Sequence, residues 1–205
     1  PKIMFMHGWS GRATNFYLII EALMRLDFDI YAFDAPAHGK SSGLTTNLPE
    51  FIVTLDSLLK HWGPFEVILG HSGGAFASSY VCANHPEIQK LILISPFDKV
   101  IDLFKKYFEL IGLGERARKL MLDYFHRKTN KKISAFSSSI SAQSINANCM
   151  IIHDKNDREV ELYNSINIEN NLKKGKLIIT SGLGHRRILR DDIVVDDIVN
   201  FLKSY

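Results

Sequence analysis

The sequence predicts an α/β fold, a mostly parallel central sheet of about six strands flanked by helices. Two observations carry the prediction. Short apolar runs without strict alternation recur along the chain, as strands buried on both faces do. Between them lie longer stretches whose apolar residues repeat at helical spacing. At 205 residues the chain is long enough to bury a core and reads as a single domain spanning residues 1–205.

The strand candidates are residues 3–6, 30–33, 67–69, 91–94, 150–152 and 177–179, with Gly and Pro near their ends favouring strand over buried helix. Helical faces follow. Phe16, Ile19, Ile20, Leu23 and Met24 share one, and Phe51, Leu55, Leu58, Leu59 and Trp62 another. Small residues follow the third strand over 74–84, and Ile193, Val194, Ile198, Phe201 and Leu202 close the chain. Residues 97–147 break this rhythm, because one crossover needs only a dozen or so residues. Val100, Phe104, Tyr107, Phe108 and Ile111 form one amphipathic stripe; Ala117, Leu120, Met121, Tyr124 and Phe125 form a second. Two helices are expected there, inserted as a lid within the domain.

Composition narrows the function. A net charge of +3 is too weak to argue for a nucleic-acid partner. Two cysteines, Cys82 and Cys149, make no disulfide framework and are expected reduced and buried. No run of about 18 apolar residues predicts a membrane span. No leader pattern is present, so the cytoplasm is the expected location. No metal-ligand cluster and no nucleotide loop occurs, so no metal or cofactor is expected.

The chemistry concentrates in Gly70-His71-Ser72-Gly73-Gly74, placed after a strand and before a helix. G-x-S-x-G in that setting is a nucleophile elbow, a tight turn that projects the serine hydroxyl above the sheet edge. Glycines two residues to either side leave room for the close approach. The Gly73 N–H, at the helix start, faces the charge that would develop on an attacked carbonyl. A serine hydroxyl needs a base. His185 in Ser181-Gly182-Leu183-Gly184-His185, just past the last strand, is the best placed of eight histidines. The imidazole in turn needs an acidic acceptor. Asp154 and Asp157 both follow the fifth strand. Asp154 lies close enough to the strand to cap its turn, while Asp157 lies further along the loop with reach to spare, and Asp157 is favoured.

These residues resemble the α/β-hydrolase superfamily over nearly the whole chain, in the order Ser72, Asp157, His185. His7-Gly8-Trp9 is similar to the family's oxyanion turn, which implies that the Trp9 N–H joins that of Gly73. Residues 34–41 resemble its D-x-P-G-H-G-x-S loop, with Ala37 where Gly is usual. Residues 153–157 resemble its H-G-x-x-D segment, with Asp154 where Gly is usual. The family's N-terminal antiparallel hairpin is absent, so residues 3–6 are expected nearer a sheet edge, open to pairing. The inserted helices resemble the family's cap.

The resemblance implies a serine hydrolase of carboxylesterase type, acting on an ester, thioester or related acyl bond of a small, apolar substrate. An acyltransferase or carbon–carbon bond hydrolase would use the same triad, and a non-catalytic binder would use the same fold. A surface-bound protein that docks through residues 100–111 is a further reading, short of any stable membrane insertion.

Overall fold

A computed structural model of the chain describes residues 1–203. All six apolar runs are strands: β1 (Lys2–Met6), β2 (Asp29–Phe33), β3 (Val67–His71), β4 (Lys90–Ile94), β5 (Asn148–Asp154) and β6 (Gly175–Thr180). They form one parallel sheet in the order β2-β1-β3-β4-β5-β6. Between and after them run α1 (Tyr17–Leu23), α2 (Leu48–Trp62), α3 (Gly73–Cys82), α4 (Val100–Leu110), α5 (Glu115–Thr129), α6 (Ser138–Ala142), α7 (Tyr163–Glu169), α8 (Gly184–Arg187) and α9 (Asp192–Lys203).

Alternate strand residues point to opposite faces, and both faces are covered. Ile3, Phe5, Val67, Leu69, Ile92 and Ile94 pack with Ile19 and Leu23 of α1 and Val194, Ile198 and Leu202 of α9. Met4, Met6, Ile68, Leu91 and Leu93 pack with Phe51 and Leu55 of α2 and with α3. That two-sided burial explains why the strand sequences are continuously apolar. Cys82 and Cys149 lie buried and unpaired, and burial pushes the Cys82 thiol up to about 12.

One expectation is corrected. The first strand is not open for pairing, because β1 is bonded to β2 on one side and β3 on the other. The crossover through α1 steps outward to β2, and α2 then carries the chain back over the opposite face to β3. The edges are β2 and β6. This reversal makes the carboxyl ends of β1 and β3 a switch point, where loops diverge and leave a crevice.

Between β4 and β5 the two expected helices, α4 and α5, form a hairpin. Phe104, Phe108, Phe125 and Phe136 interlock at its base, with ring centroids 5.1–5.7 Å apart. Each such ring contributes roughly 1.5–3 kcal/mol when fully buried. Asp98 ties the residues before α4 to those that follow α5. Its carboxylate accepts the Ser137 hydroxyl at 2.7 Å, the Ser139 N–H at 2.9 Å and the Ser139 hydroxyl at 3.0 Å. The residues after the clasp return to the body, where α6 lies against α3 and α7. Among the described residues, no helix is long and apolar enough to cross a membrane.

Candidate active site

Ser72 sits between β3 and α3 at φ 52°, ψ −119°. A non-glycine residue at positive φ is strained and persists only where its surroundings enforce it. Here the enforcement is explicit. The Ser72 N–H donates to the Ile94 carbonyl at 2.9 Å, and the Ser72 carbonyl accepts from the Phe76 N–H at 3.0 Å. A side chain at Gly70 would meet Ser78 Oγ and the Gly74 carbonyl, and one at Gly74 would meet the Met6 and His7 carbonyls. Both glycines are therefore required by the close contact of strand, turn and helix.

His185 begins beyond β6, in α8, and is buried. Its Nδ1 lies 2.7 Å from Asp157 Oδ2. The other Asp157 oxygen accepts the N–H groups of Glu159 and Val160 at 2.8 and 2.9 Å. Burial alone would raise the Asp157 carboxyl, but these hydrogen bonds outweigh it and hold the group below its ordinary value. An ionised carboxylate only accepts, so His185 Nδ1–H donates to Asp157, an arrangement that in the neutral ring leaves the lone pair on Nε2. No hydrogen bond joins Ser72 Oγ to the His185 ring among the described residues, although both line one cavity.

The second candidate carboxylate has a different place. Asp154 Oδ1 accepts the Asn156 N–H at 2.9 Å. Its Oδ2 accepts the Thr180 hydroxyl at 2.8 Å and the Leu183 N–H at 3.0 Å. Burial would raise its carboxyl, but these donors together with the Gly184 N–H bring it to about 2. Asp154 thus binds the loop that carries His185 rather than its ring. Two more histidines support the site. The His71 ring, brought to about 3 by burial, donates from Nε2 to the His185 carbonyl at 2.8 Å. His153, buried and lowered by that burial, donates from Nε2 to the Val160 carbonyl at 3.0 Å beside Asp157.

The turn after β1 faces Ser72. A side chain added at Gly8 would lie 2.8 Å from Ser72 Cβ, and one at Gly73 would lie 3.5 Å from the Trp9 nitrogen. Among the described residues the Trp9 N–H has no hydrogen-bond partner. Neither has the first N–H of any helix within its own helix, Gly73 in this case. The turn is braced from the loop after β2: the Ala35 N–H donates to His7 Nε2 at 2.8 Å and the Ser10 N–H donates to His38 Nε2 at 3.0 Å. The Trp9 ring stacks on Phe51 at 5.7 Å.

Above Ser72 lies a cavity of ≈ 450 Å³, walled by Trp9, Leu48, Phe97, Leu103, Phe104, Tyr107, Met121, Phe125 and Val160, with α4 and α5 as its roof. The Thr46 hydroxyl, on the same wall, is buried without a partner. Sequence reasoning missed Glu159, whose carboxylate lies 3.9 Å from His185 Nε2 and 3.0 Å from Arg186 Nε. No motif marks it; only its nearness to Asp157 in sequence could have drawn attention. Among the described residues no group of three or more His, Cys, Asp or Glu side chains could hold a metal ion.

The arrangement can activate a hydroxyl and receive an oxyanion, and known proteins share its frame. The model of the alpha/beta hydrolase fold family matches residues 1–117. The monoglyceride lipase of Rattus norvegicus is 31% identical over 107 residues, 47% of this chain and 35% of its own length. A Drosophila melanogaster protein named "Probable serine hydrolase" is 31% identical over 129 residues, 60% of this chain and 38% of its own. The chain therefore spans under two fifths of the length of these curated relatives. The crystal structure of a Paleococcus ferrophilus monoacylglycerol lipase superposes with a TM-score of 0.75 at 20% identity, covering 99% of this chain and 94% of that one. At that identity the likeness is one of fold.

Proposed function

This chain belongs to the α/β-hydrolase family, and from that premise we propose that it is a serine hydrolase cleaving an ester, thioester or related acyl bond of a small, apolar substrate. The observation that carries the reading is the 2.7 Å contact of His185 Nδ1 with Asp157 Oδ2 beside a strained Ser72 in one apolar cavity. Ser72 Oγ attacks the substrate carbonyl while His185 Nε2 takes its proton. Asp157 stays ionised, keeps the imidazole in the required tautomer and stabilises the imidazolium. The N–H groups of Trp9 and Gly73 hold the tetrahedral oxyanion, where one such donor is worth roughly 10²–10³ in kcat. The proton on Nε2 passes to the leaving group, and the acyl-enzyme forms. Water, deprotonated by the same nitrogen, then releases the acid and restores Ser72. The open Ser72–His185 spacing suits a free enzyme, since such hydrogen bonds tighten when substrate binds.

In this reading α4 and α5 are a lid, and their apolar inner faces favour an apolar acyl or alkyl group. The two unpaired buried cysteines suit a reducing compartment such as the cytoplasm. The monoglyceride lipase match adds support for an acyl ester as substrate.

The test is labelling with a fluorophosphonate probe and mapping of the modified peptide. A single adduct on Ser72, lost in His185→Ala and slowed by roughly 10⁴ in Asp157→Asn, is expected. A folded protein that takes no label at Ser72 overturns the assignment.

A further inference from the structure

A second cavity, of ≈ 680 Å³, lies between α2 and α5. It shares Asn47, Phe104, Met121 and Phe125 with the cavity above Ser72. Those four side chains are thus a common wall, with one face toward the nucleophile and the other toward the α2–α5 groove. Beyond the wall the groove is lined by Val53 of α2 and by Leu120 and Tyr124 of α5. These three are 63%, 58% and 57% exposed. Large apolar side chains gathered around a concavity and left to water mark a place where something apolar sits. Among the residues that line only this distal cavity, Glu50 and Lys128 are the charged ones.

We propose that the two cavities are one acyl site, in which the chain of an unbranched fatty acyl group runs from Ser72 past Phe104, Met121 and Phe125 into the α2–α5 groove. This rests on the serine hydrolase reading and names the class of acyl group it takes. The occupant must be apolar along its length, because both lumens are walled chiefly by apolar side chains. It must be narrow and flexible to pass the shared wall, which excludes bulky aromatic or branched acids. The unbranched Met121 side chain, with three rotatable bonds, can give way to such a chain without a fixed opening. Bound this way, the acyl chain covers Val53, Leu120 and Tyr124 and removes its own methylenes from water.

The experiment compares kcat/KM for p-nitrophenyl butyrate, octanoate and dodecanoate in the wild type, Val53→Trp and Leu120→Asp. Both substituted positions are exposed, on opposite walls of the distal cavity, so the fold tolerates them. In the wild type kcat/KM should rise by up to about fourfold per added methylene, the value of one buried CH₂. In each variant the dodecanoate-to-butyrate ratio should fall by about tenfold or more, the equivalent of two methylenes left in water. A ratio that is flat in the wild type, or unmoved in both variants, overturns the proposal. Should no ester be cleaved, the hydrolase reading is what has failed. Calorimetric binding of dodecanoate then tests the cavity alone: binding weakened in Leu120→Asp upholds it, and no binding, or equal binding in the variant, overturns it.

Discussion

Asp154 Oδ2 accepts the Leu183 N–H at 3.0 Å, two residues before His185. The same carboxylate accepts Thr180 Oγ1 and the Asn156 N–H, so it ties the end of β5 to both loops that carry His185 and Asp157. Hydrogen bonds to a charged acceptor are worth about 1.5–3 kcal/mol each, and Asp154 accepts several from half-buried or exposed donors. Asp154→Ala should destabilise the protein by about 2–4 kcal/mol in urea titration and lower kcat, while Asp154→Asn recovers part of both. Because the folded carboxyl is held near 2, against an ordinary 3.8, its stabilising increment is complete above the ordinary range. It is lost as pH falls toward 2. An Asp154→Ala protein of unchanged stability and kcat would refute the role.

His7 acts on the opposite side of the site. Its Nε2 accepts the Ala35 N–H, so the ring proton is on Nδ1 and donates to the Gly8 carbonyl at 2.8 Å. Burial lowers its pKa and keeps this neutral form. The carbonyl and N–H of one trans peptide point in opposite directions. Holding the Gly8 carbonyl therefore aims the Trp9 N–H away from His7. His7→Ala should cut kcat by up to about 10², the cost of losing one oxyanion donor, with KM changed far less. Ester kinetics read this directly, and an effect confined to KM would count against it.

Asp98 joins the residues before α4 to those after α5, and its own N–H donates to Asn164 Oδ1 at 3.0 Å. Removing it takes the acceptor from the buried Ser137 hydroxyl and from the part-buried Ser139 N–H, at about 1–3 kcal/mol. Asp98→Ala should speed hydrogen exchange through α4 and α5 well before the sheet is affected. Uniform exchange across the chain would show that the clasp is not local.

His85 is buried between two carboxylates, Asp56 at 2.8 Å and Glu87 at 2.6 Å. Burial lowers its pKa, but the two partners outweigh burial and raise it above 6.5. A raised folded value means the stabilisation is complete below pH 6.5 and is lost as pH climbs through the folded value. The melting temperature of the wild type should decline over that window. His85→Gln should remove the decline while lowering stability at pH 6; a parallel decline in the variant would assign it to other groups.

The six strands were legible because burial on both sheet faces demands continuous apolar runs, a local signal. Ser72 was legible because its turn demands Gly70 and Gly74 within five residues. His185 and Asp157 stood out as residues that follow β6 and β5. What separates Asp157 from Asp154 is not local, since both carboxylates lie within four residues and meet the same loop, one at the His185 ring and the other at the Leu183 N–H. Nor could composition place β1 inside the sheet, because an edge strand and its buried neighbour can both be apolar.

Glu159 beside His185, the Asp98 clasp and the cavity between α2 and α5 depend on contacts across tens of residues. Local pattern encodes which face of a segment is buried and where the backbone must turn, because propensity and close packing act within a few residues. Which polar groups share a hydrogen bond, and which apolar faces enclose a space, is decided only when distant segments meet. Tertiary packing sets those distances, and no short stretch of sequence carries them.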